Sequence, residues 1–529
     1  MWYNNTTYKI FSGGNIMRNK FTKFTSLALI VLMLLTALVA CNGTNDPAVT
    51  TPQGGGDVTT PSGGGDVTSG EGETKEETPA VIDCDKYEFI ILCKDNELWF
   101  EMYANETGSQ TGEAISDALY TREVTLEQMY NCEITLVKDS KIDDKVRLNA
   151  GSGSGEHIAD AIYTTGSSTL QLARAGALRN VYKIPELRLQ NSYWDQNIQK
   201  EYQVGKALYC LEGDINIRDD LRTIQVTVNK DLYEKYKLNE SYGNLYDLVR
   251  NKKWTFDTMM EMSKDLYEDP DGNGQSMEDT YGLLSELSGP YYFFLGSGLR
   301  TVKNHNDSLE SCLEDPLLLE ALDKAILLAS APSVCLVNSG KVAGMTSVWN
   351  DAITLFKNDQ ALFRSSALSS VNGYIDMKSD YGIIPVPMLF DTNDRYYCWV
   401  SGNNHYPLSI PYDGIDDISV TASIIEAMAY YSKYLETDNY NEAFYERLAD
   451  FRLGQTADDA EMLDLIFGSK TFELDRPLVV TSVESQMYSK AKEGYTGSFA
   501  SVIAGAKTTA KYNAIAIQQA FDKVAAAEE

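Results

Sequence analysis

The sequence predicts an α/β protein of two lobes, and three observations carry that reading. Short apolar strand patterns alternate with helical ones, which means a mostly parallel sheet with helices on its faces. The body, about residues 81–529, is long enough for two domains. The chain is 43% hydrophobic, which is ordinary for a globular protein.

The elements follow in order. Tyr87–Leu92 (YEFIIL) reads as a buried opening strand. Glu113–Asn131 is a predicted helix with Ala114, Ala118, Val124 and Met129 among its apolar positions. Glu133–Val137 (EITLV) is a second strand, and Asp160–Tyr163 (DAIY) a third, ending in the polar loop Thr164–Ser168. Leu170–Ala177 then reads as helical. Thr223–Asn229 alternates Ile224, Val226 and Val228 as a strand. Gly382–Val386 is short and apolar, and its Pro385 suits a sheet edge, because proline cannot donate to a ladder. Ser419–Leu435 and Thr508–Ala527 show helical spacing, the latter with Ala514, Ile517, Phe521 and Val524 on one face.

Ahead of the body lies an export signal. Arg18, Lys20 and Lys23 precede the apolar run Leu27–Ala40, which is short of the roughly 20 residues a membrane-spanning helix needs. Met17 is the expected start, since Met17–Ala40 is a complete signal by itself. Leu38-Val39-Ala40-Cys41 looks like the lipobox of bacterial lipoproteins, in which the cysteine is lipidated and becomes the new N-terminus. Residues 1–40 are thus expected to be removed, and Cys41 to be anchored by lipid to the cell membrane with the body extracytoplasmic. Residues 41–83 form a tether. Its stretch 42–80 has no aromatic residue, Leu, Ile or Met, and carries the duplication TTPQGGGDV/TTPSGGGDV. Such a segment cannot bury enough apolar surface to offset its ordering entropy, and it spans roughly 35 Å as a coil.

The formal charge of the chain is −31. Removal of residues 1–40, which hold four basic residues and no acidic one, leaves −35. That surface repels nucleic acid and anionic lipid, so no nucleic-acid partner is expected. Seven cysteines remain after Cys41, an odd number that rules out complete pairing within one chain, although Cys84–Cys93 or Cys312–Cys335 bridges stay open. Paired cysteine or Cys/His metal spacing is absent, as are H-E-x-x-H, G-x-S-x-G, P-loop and dinucleotide signatures. Two dispersed carboxylates could still make a glycan-active enzyme, but no local motif marks a pair, and the expectation is a non-enzyme that needs no cofactor.

Trp254–Leu283 runs WTFDTMMEMSKDLYEDPDGNGQSMEDTYGL. Thr255 is a good N-cap, with Trp254 and Met259 placed for a hydrophobic staple. The order Trp-Thr, helix, Asp/Gly loop, Tyr-Gly-Leu resembles the family 1 extracellular solute-binding proteins of ABC importers, which are mostly carbohydrate binders. Ala114–Glu123 looks like that family's first helix, and Asn229-Lys230-Asp231-Leu232 like its hinge exit. Phe356–Phe363 (FKNDQALF) is similar to its strand approach, with Asp359 where glycine is common. Tyr381–Pro387 (YGIIPVP) is similar to its "yG-x-x-P-x-P". The resemblance covers about residues 85–435. It implies a periplasmic-binding-protein-like fold of class II type, with crossing hinge strands and an interlobe cleft. The expected first lobe is 84–222 with about 404–455; the second is 223–403 with about 456–529. It implies a saccharide ligand, an oligosaccharide first of all, with peptide or another polar solute as the rival. It further implies hinge closure, delivery to ABC permease membrane subunits, and a monomer.

The acidic turn Asp269-Pro270-Asp271-Gly272-Asn273-Gly274-Gln275 sets oxygens at alternate positions with glycine sixth, as a calcium loop begins. Candidate ligands for a structural Ca²⁺ are Asp269, Asp271, Asn273, the Gln275 carbonyl and Glu278, with Asp279 as the alternative to Glu278. A self-capped Asx/Gly turn explains the same residues.

Sugars offer apolar C–H faces edged by hydroxyls, so aromatic rings and paired polar groups at strand ends are the candidates. These are Tyr163 and Thr165 after the third strand, Asp214 and Asn216 before a predicted crossing, Tyr291 and Tyr292 after Gly289-Pro290, Arg364 and Ser365 after the QALF strand, and Trp399 and Asn403 near the second crossing. Trp254 belongs to the staple.

Overall fold

In the computed structural model, residues 76–94, 109–153, 155–454, 456–495 and 497–528 are described. The signal, Cys41 and the tether to residue 75 lie outside them. The chain divides into Met1–Lys75 with Asn105–Gln110, and Glu76–Ala104 with Thr111–Glu529. All that follows concerns the second unit. Among the described residues no helix is long and apolar enough to cross a membrane.

In chain order the strands are β1 (Tyr87–Cys93), β2 (Cys132–Lys138), β3 (Ala161–Tyr163), β4 (Ile224–Asn229), β5 (Tyr281–Ser285), β6 (Val302–His305), β7 (Ser308–Ser311), β8 (Val334–Leu336), β9 (Ala361–Ala367), β10 (Tyr381–Pro385), β11 (Cys398–Trp399), β12 (Leu408–Ser409) and β13 (Lys470–Thr471). One sheet runs β12-β3-β1-β2, with β1 parallel to both β2 and β3, and β12 antiparallel to β3. The other runs β10-β4-β9-β5-β8. In it β5 is parallel to β8 and β9, while β4 is antiparallel to β9 and β10. The second sheet is therefore mixed rather than mostly parallel. β10 lies at its edge, where Pro385 leaves no ladder donor missing.

Each sheet has its own apolar core. The first holds Phe89, Ile91, Leu126, Ile162, Tyr163, Leu172 and Met428. The second holds Val226, Trp254, Leu283, Phe294, Leu322, Phe363 and Ile383. The expected two-lobed α/β architecture is thus the one observed. The lobe limits differ in the last quarter of the chain. Tyr440, Phe444 and Leu448 pack in the second core, whereas Phe472 and Leu474 pack in the first. Apolar spacing shows which face of a helix is buried but not against which sheet.

Local chemistry explains the elements. The helix Ala114–Tyr130 is capped by Glu113, which accepts from Ser116 N, and ends at Asn131 in the left-handed region (φ 49°). The helix Phe256–Ser263 is capped by Thr255, and Trp254 is fully buried with its indole N–H on Pro385 O at 2.9 Å. Gly282 of the Tyr-Gly-Leu motif has a steric reason: a Cβ there would lie 2.4 Å from Ser263 O. Asp359 has φ 59°, which explains why glycine suits that position. The helix after β3 starts earlier than spacing suggested, at Gly166, because Thr165 accepts from Ser168 N and turns the polar loop into a first helical turn. All seven described cysteines are free, which corrects both bridges left open. Cys84 lies in the turn before β1 and Cys93 at the far end of that strand, which is roughly 20 Å long.

Candidate functional site

The chain passes between the cores several times. Ile215 belongs to the first and Ile217 to the second; Trp399 to the second and Val400 to the first; Ile466 to the second and Phe472 to the first. The crossings touch one another. Thr223 bridges Val400, and β11 pairs with β13 in parallel, Trp399 opposite Thr471. Lys470 lies buried among Asp195 (2.9 Å), Asp219 (2.5 Å) and Asp220 (2.9 Å). His405 Nδ1 meets Glu212 at 2.7 Å and its Nε2 meets the Tyr202 hydroxyl at 3.2 Å. Burial pushes His405 down to about 3, so the imidazole is neutral.

On the second core, β5, β8 and β9 run parallel and their C-terminal ends open side by side. Leu284, Ser285, Glu286, Val337, Trp349, Arg364 and Ser365 line a crevice of about 10 Å³ there. Ser285 Oγ and Ser365 Oγ are 2.7 Å apart. Arg364 is 5% exposed and donates to the Tyr374 hydroxyl. Trp349, in the first turn of the helix Val348–Lys357, is 52% exposed. The Tyr292 hydroxyl donates to Glu286 Oε2 at 2.8 Å, and burial raises the Glu286 carboxyl. Tyr292 packs against Trp399 at 5.1 Å between ring centroids, and Tyr291 meets the same indole edge-on at 5.9 Å.

The first-core wall begins at the N-terminus of the helix Gly166–Arg174, where Gly166 N donates to His405 O (3.2 Å), Ser167 N to Gly402 O (2.9 Å) and Ser168 N to Thr165 Oγ1 (3.1 Å). With its amide turned to satisfy both neighbours, Asn403 donates to Ser167 Oγ at 2.7 Å and accepts from Arg476 Nη2 (3.0 Å) and Nε (3.2 Å). Arg476 also pairs with Glu484 at 3.0 Å. Its charge acts on the Tyr292 hydroxyl, against the burial that raises that group, which ties this wall to the aromatic one. Three buried polar atoms at the junction have no partner among the described residues: Tyr291 OH, Trp399 Nε1 and Glu473 Oε1. Burial pushes Glu473 up to about 8.

Among the expected ligand residues, Arg364 and Ser365 line the crevice, Tyr291, Tyr292 and Trp399 form one aromatic cluster, and Thr165 and Asn403 shape the opposite wall. Tyr163 is fully buried in the first core, opposite Leu408. Asn216 is 1% exposed and bonds Glu212 and Arg218 N, so it serves the crossing. Asp214 sits in the same crossing, raised to about 6 by burial. Sequence reasoning missed Trp349, Ser285, Glu286, Glu473 and Arg476. Only Trp349 left a trace, as a tryptophan in the first turn of the helix that leads into FKNDQALF.

The acidic turn is a separate place. Asp269, Asp271 and Asp279 each bring one carboxylate oxygen within 4.8 Å of the others. Asp269 accepts from the backbone N–H groups of Gly272, Asn273 and Gly274 at 2.7, 3.2 and 3.0 Å, which lowers its carboxyl. Asn273 Nδ2 donates to Asp271, and the Gln275 carbonyl accepts from Ala343 N at 2.8 Å. Glu278 is exposed and outside the group, whereas Asp279 is fully buried. Oxygens so spaced fit around one Ca²⁺ at the usual 2.3–2.6 Å.

No protein-family model matches the chain, and no curated protein is found similar to it. Among solved structures it is similar to the crystal structure of a cyclo/maltodextrin-binding protein complexed with maltotetraose, at 12% identity and a TM-score of 0.49, covering 85% of this chain and 98% of that one.

Proposed function

We propose that this protein is the substrate-binding lipoprotein of an ABC importer. It captures a carbohydrate, an oligosaccharide first of all, in the cleft between its two cores and delivers it to permease membrane subunits. Cys41 anchors it by lipid outside the cytoplasm, and residues 42–75 lift the body off the membrane. This tether is shorter than the expected 41–83, because Glu77 O accepts from Arg188 at 2.8 Å, Thr78 Oγ1 meets the Tyr430 hydroxyl at 3.0 Å and Ala80 O accepts from Tyr130 at 3.2 Å. No chemistry on the ligand is needed; binding and hinge closure suffice.

One observation carries the reading. A half-exposed Trp349 stands over a crevice lined by Ser285, Glu286, Arg364 and Ser365. An indole face covers the apolar side of a sugar ring, while hydroxyls, a carboxylate and a guanidinium take its edge. The acidic turn holds a structural Ca²⁺ through Asp269, Asp271 and Asp279, away from the cleft's polar set.

A thermal-shift screen of the protein against mono- and oligosaccharides tests this. A ligand that binds only the folded state adds about 2.7 kcal/mol at a hundredfold excess over Kd. A rise confined to one glycan class, with no product formed, is the expected result. A rise with peptides and with no saccharide overturns the ligand assignment; new reducing ends overturn the non-enzyme reading.

A further inference from the structure

We propose that the β6–β7 hairpin is a strap that restrains the angle between the two cores, bolted to the C-terminal helix. By sequence the hairpin belongs to the second lobe. The chain leaves the second core after Leu299, just beyond the helix Gly289–Leu295 that carries Tyr291 and Tyr292, and returns to it at Cys312 and Leu313. Between those points Val302 and Leu309 are buried in the first core instead, 2% and 3% exposed.

The hairpin's polar contacts also reach first-core elements. Asn304 accepts from Gly205 N and donates to Gly205 O, both at 3.0 Å, and Gly205 lies between Val204 and Ala207 of the first core. Thr301 Oγ1 donates to Asp475 Oδ2 at 2.6 Å, and Arg300 pairs with Glu201 at 3.3 Å and donates to Thr471 Oγ1. Leu309 N donates to Gln518 Oε1 at 2.8 Å. Gln518 sits on the helix Ala500–Ala527, which itself runs through both cores: Ile503 and Ala510 pack in the second, Ala514, Ile517 and Phe521 in the first.

A 28-residue helix is roughly 42 Å long. This one has no proline and no glycine after Gly505, so it has no ready kink where it passes from one core to the other. Any swing of the cores must shear their packing along this helix or release the hairpin. The strap also begins where the aromatic wall ends, so it couples Tyr291 and Tyr292 to the interlobe angle. The inference goes beyond the binding reading, and its first readout needs no ligand.

Electron–electron distance measurements on the full chain test it. Spin labels go on Leu148→Cys and Ile375→Cys, 71% and 58% exposed and adjoining the first and second cores, with Cys312→Ser removing the half-exposed native thiol. Two variants release the strap: Asn304→Ala with Gln518→Ala, and separately Leu309→Asn. Without ligand, the released protein should show a broader distance distribution or a mean displaced by about 5 Å. If both variants keep the wild-type distribution, the strap restrains nothing and the proposal is overturned. A failure to bind any saccharide leaves this result untouched, so the two readings fail separately.

Discussion

On the first-core wall of the cleft, Ser167, Asn403 and Arg476 are bonded in a chain that ends on Glu484. On the second-core side, Trp349 stands 52% exposed, and at the junction Tyr291 OH, Trp399 Nε1 and Glu473 Oε1 have no partner among the described residues. The first wall satisfies itself. The second wall and the junction keep interaction capacity in reserve and bear the desolvation cost of doing so. A ligand gains little by replacing bonds that are already made, and more by covering a bare ring or completing an orphaned group. Affinity should therefore reside on the second-core side, while the first wall sets shape and orientation.

The largest effect tests the cost of that reserve. Burial, then the charges of Asp475 and Glu484, hold the Glu473 carboxyl up to about 8 against its ordinary 4.5. The folded protein thus keeps a proton that the unfolded chain gives up. This contribution to stability is complete below pH 4.5 and is lost as the pH rises through about 8. Glu473→Gln retains an acceptor for Arg476 N and needs no proton. Urea unfolding should show the variant equal to wild type near pH 4 and more stable by roughly 5 kcal/mol near pH 9. A difference between the two that stays constant over that range would mean Glu473 is ionised and satisfied in the fold.

Next comes the ring. Trp349→Ala should weaken the best saccharide from the screen by roughly 30-fold, about 2 kcal/mol, in isothermal titration. The melting temperature should hardly move, because an exposed side chain contributes little to the core. Asn403→Ala, on the satisfied wall, should cost no more than about fivefold. Equal losses at the two positions would erase the distinction between the walls.

The legible parts of this chain were those whose signal is local. Phe89–Leu92 is apolar without interruption and became the heart of a strand inside a sheet; Thr255, Trp254 and Met259 announced a capped helix start. The miss at Gly166 came from the same local chemistry used too sparingly, since Thr165 followed by Ser168 is itself a cap. The site was harder because its members meet only after folding. Trp349 is exposed because its helix starts above the ends of strands drawn from residues 281–285 and 361–367. Asp214 and Asn216 were rightly placed beside a crossing, but their side chains turn into it. Arg476 and Glu473 come from the last crossing, in a part of the chain for which no motif pointed to the cleft.

The acidic turn gives the smallest effect and contrasts with both walls, because its polar groups are neither orphaned nor committed to a ligand. Asp269 already accepts three backbone N–H groups, so the loop is shaped before any ion arrives. What an ion adds is neutralisation of three carboxylates whose oxygens lie within 4.8 Å of one another. At tenfold excess over Kd, Ca²⁺ should stabilise the fold by about 1.4 kcal/mol, a rise of roughly 2 °C in a protein of this size. Glu278→Gln should keep that rise, since Glu278 is exposed and outside the group. Asp279→Asn should lower the melting temperature without calcium, because Asp279 also accepts from Ser276 N at 2.9 Å and Ser276 Oγ at 3.1 Å, and it should abolish the calcium-dependent rise. If calcium raises the melting temperature of Asp279→Asn as much as that of wild type, the ion is held elsewhere. If it raises neither, the turn is capped by its own backbone alone.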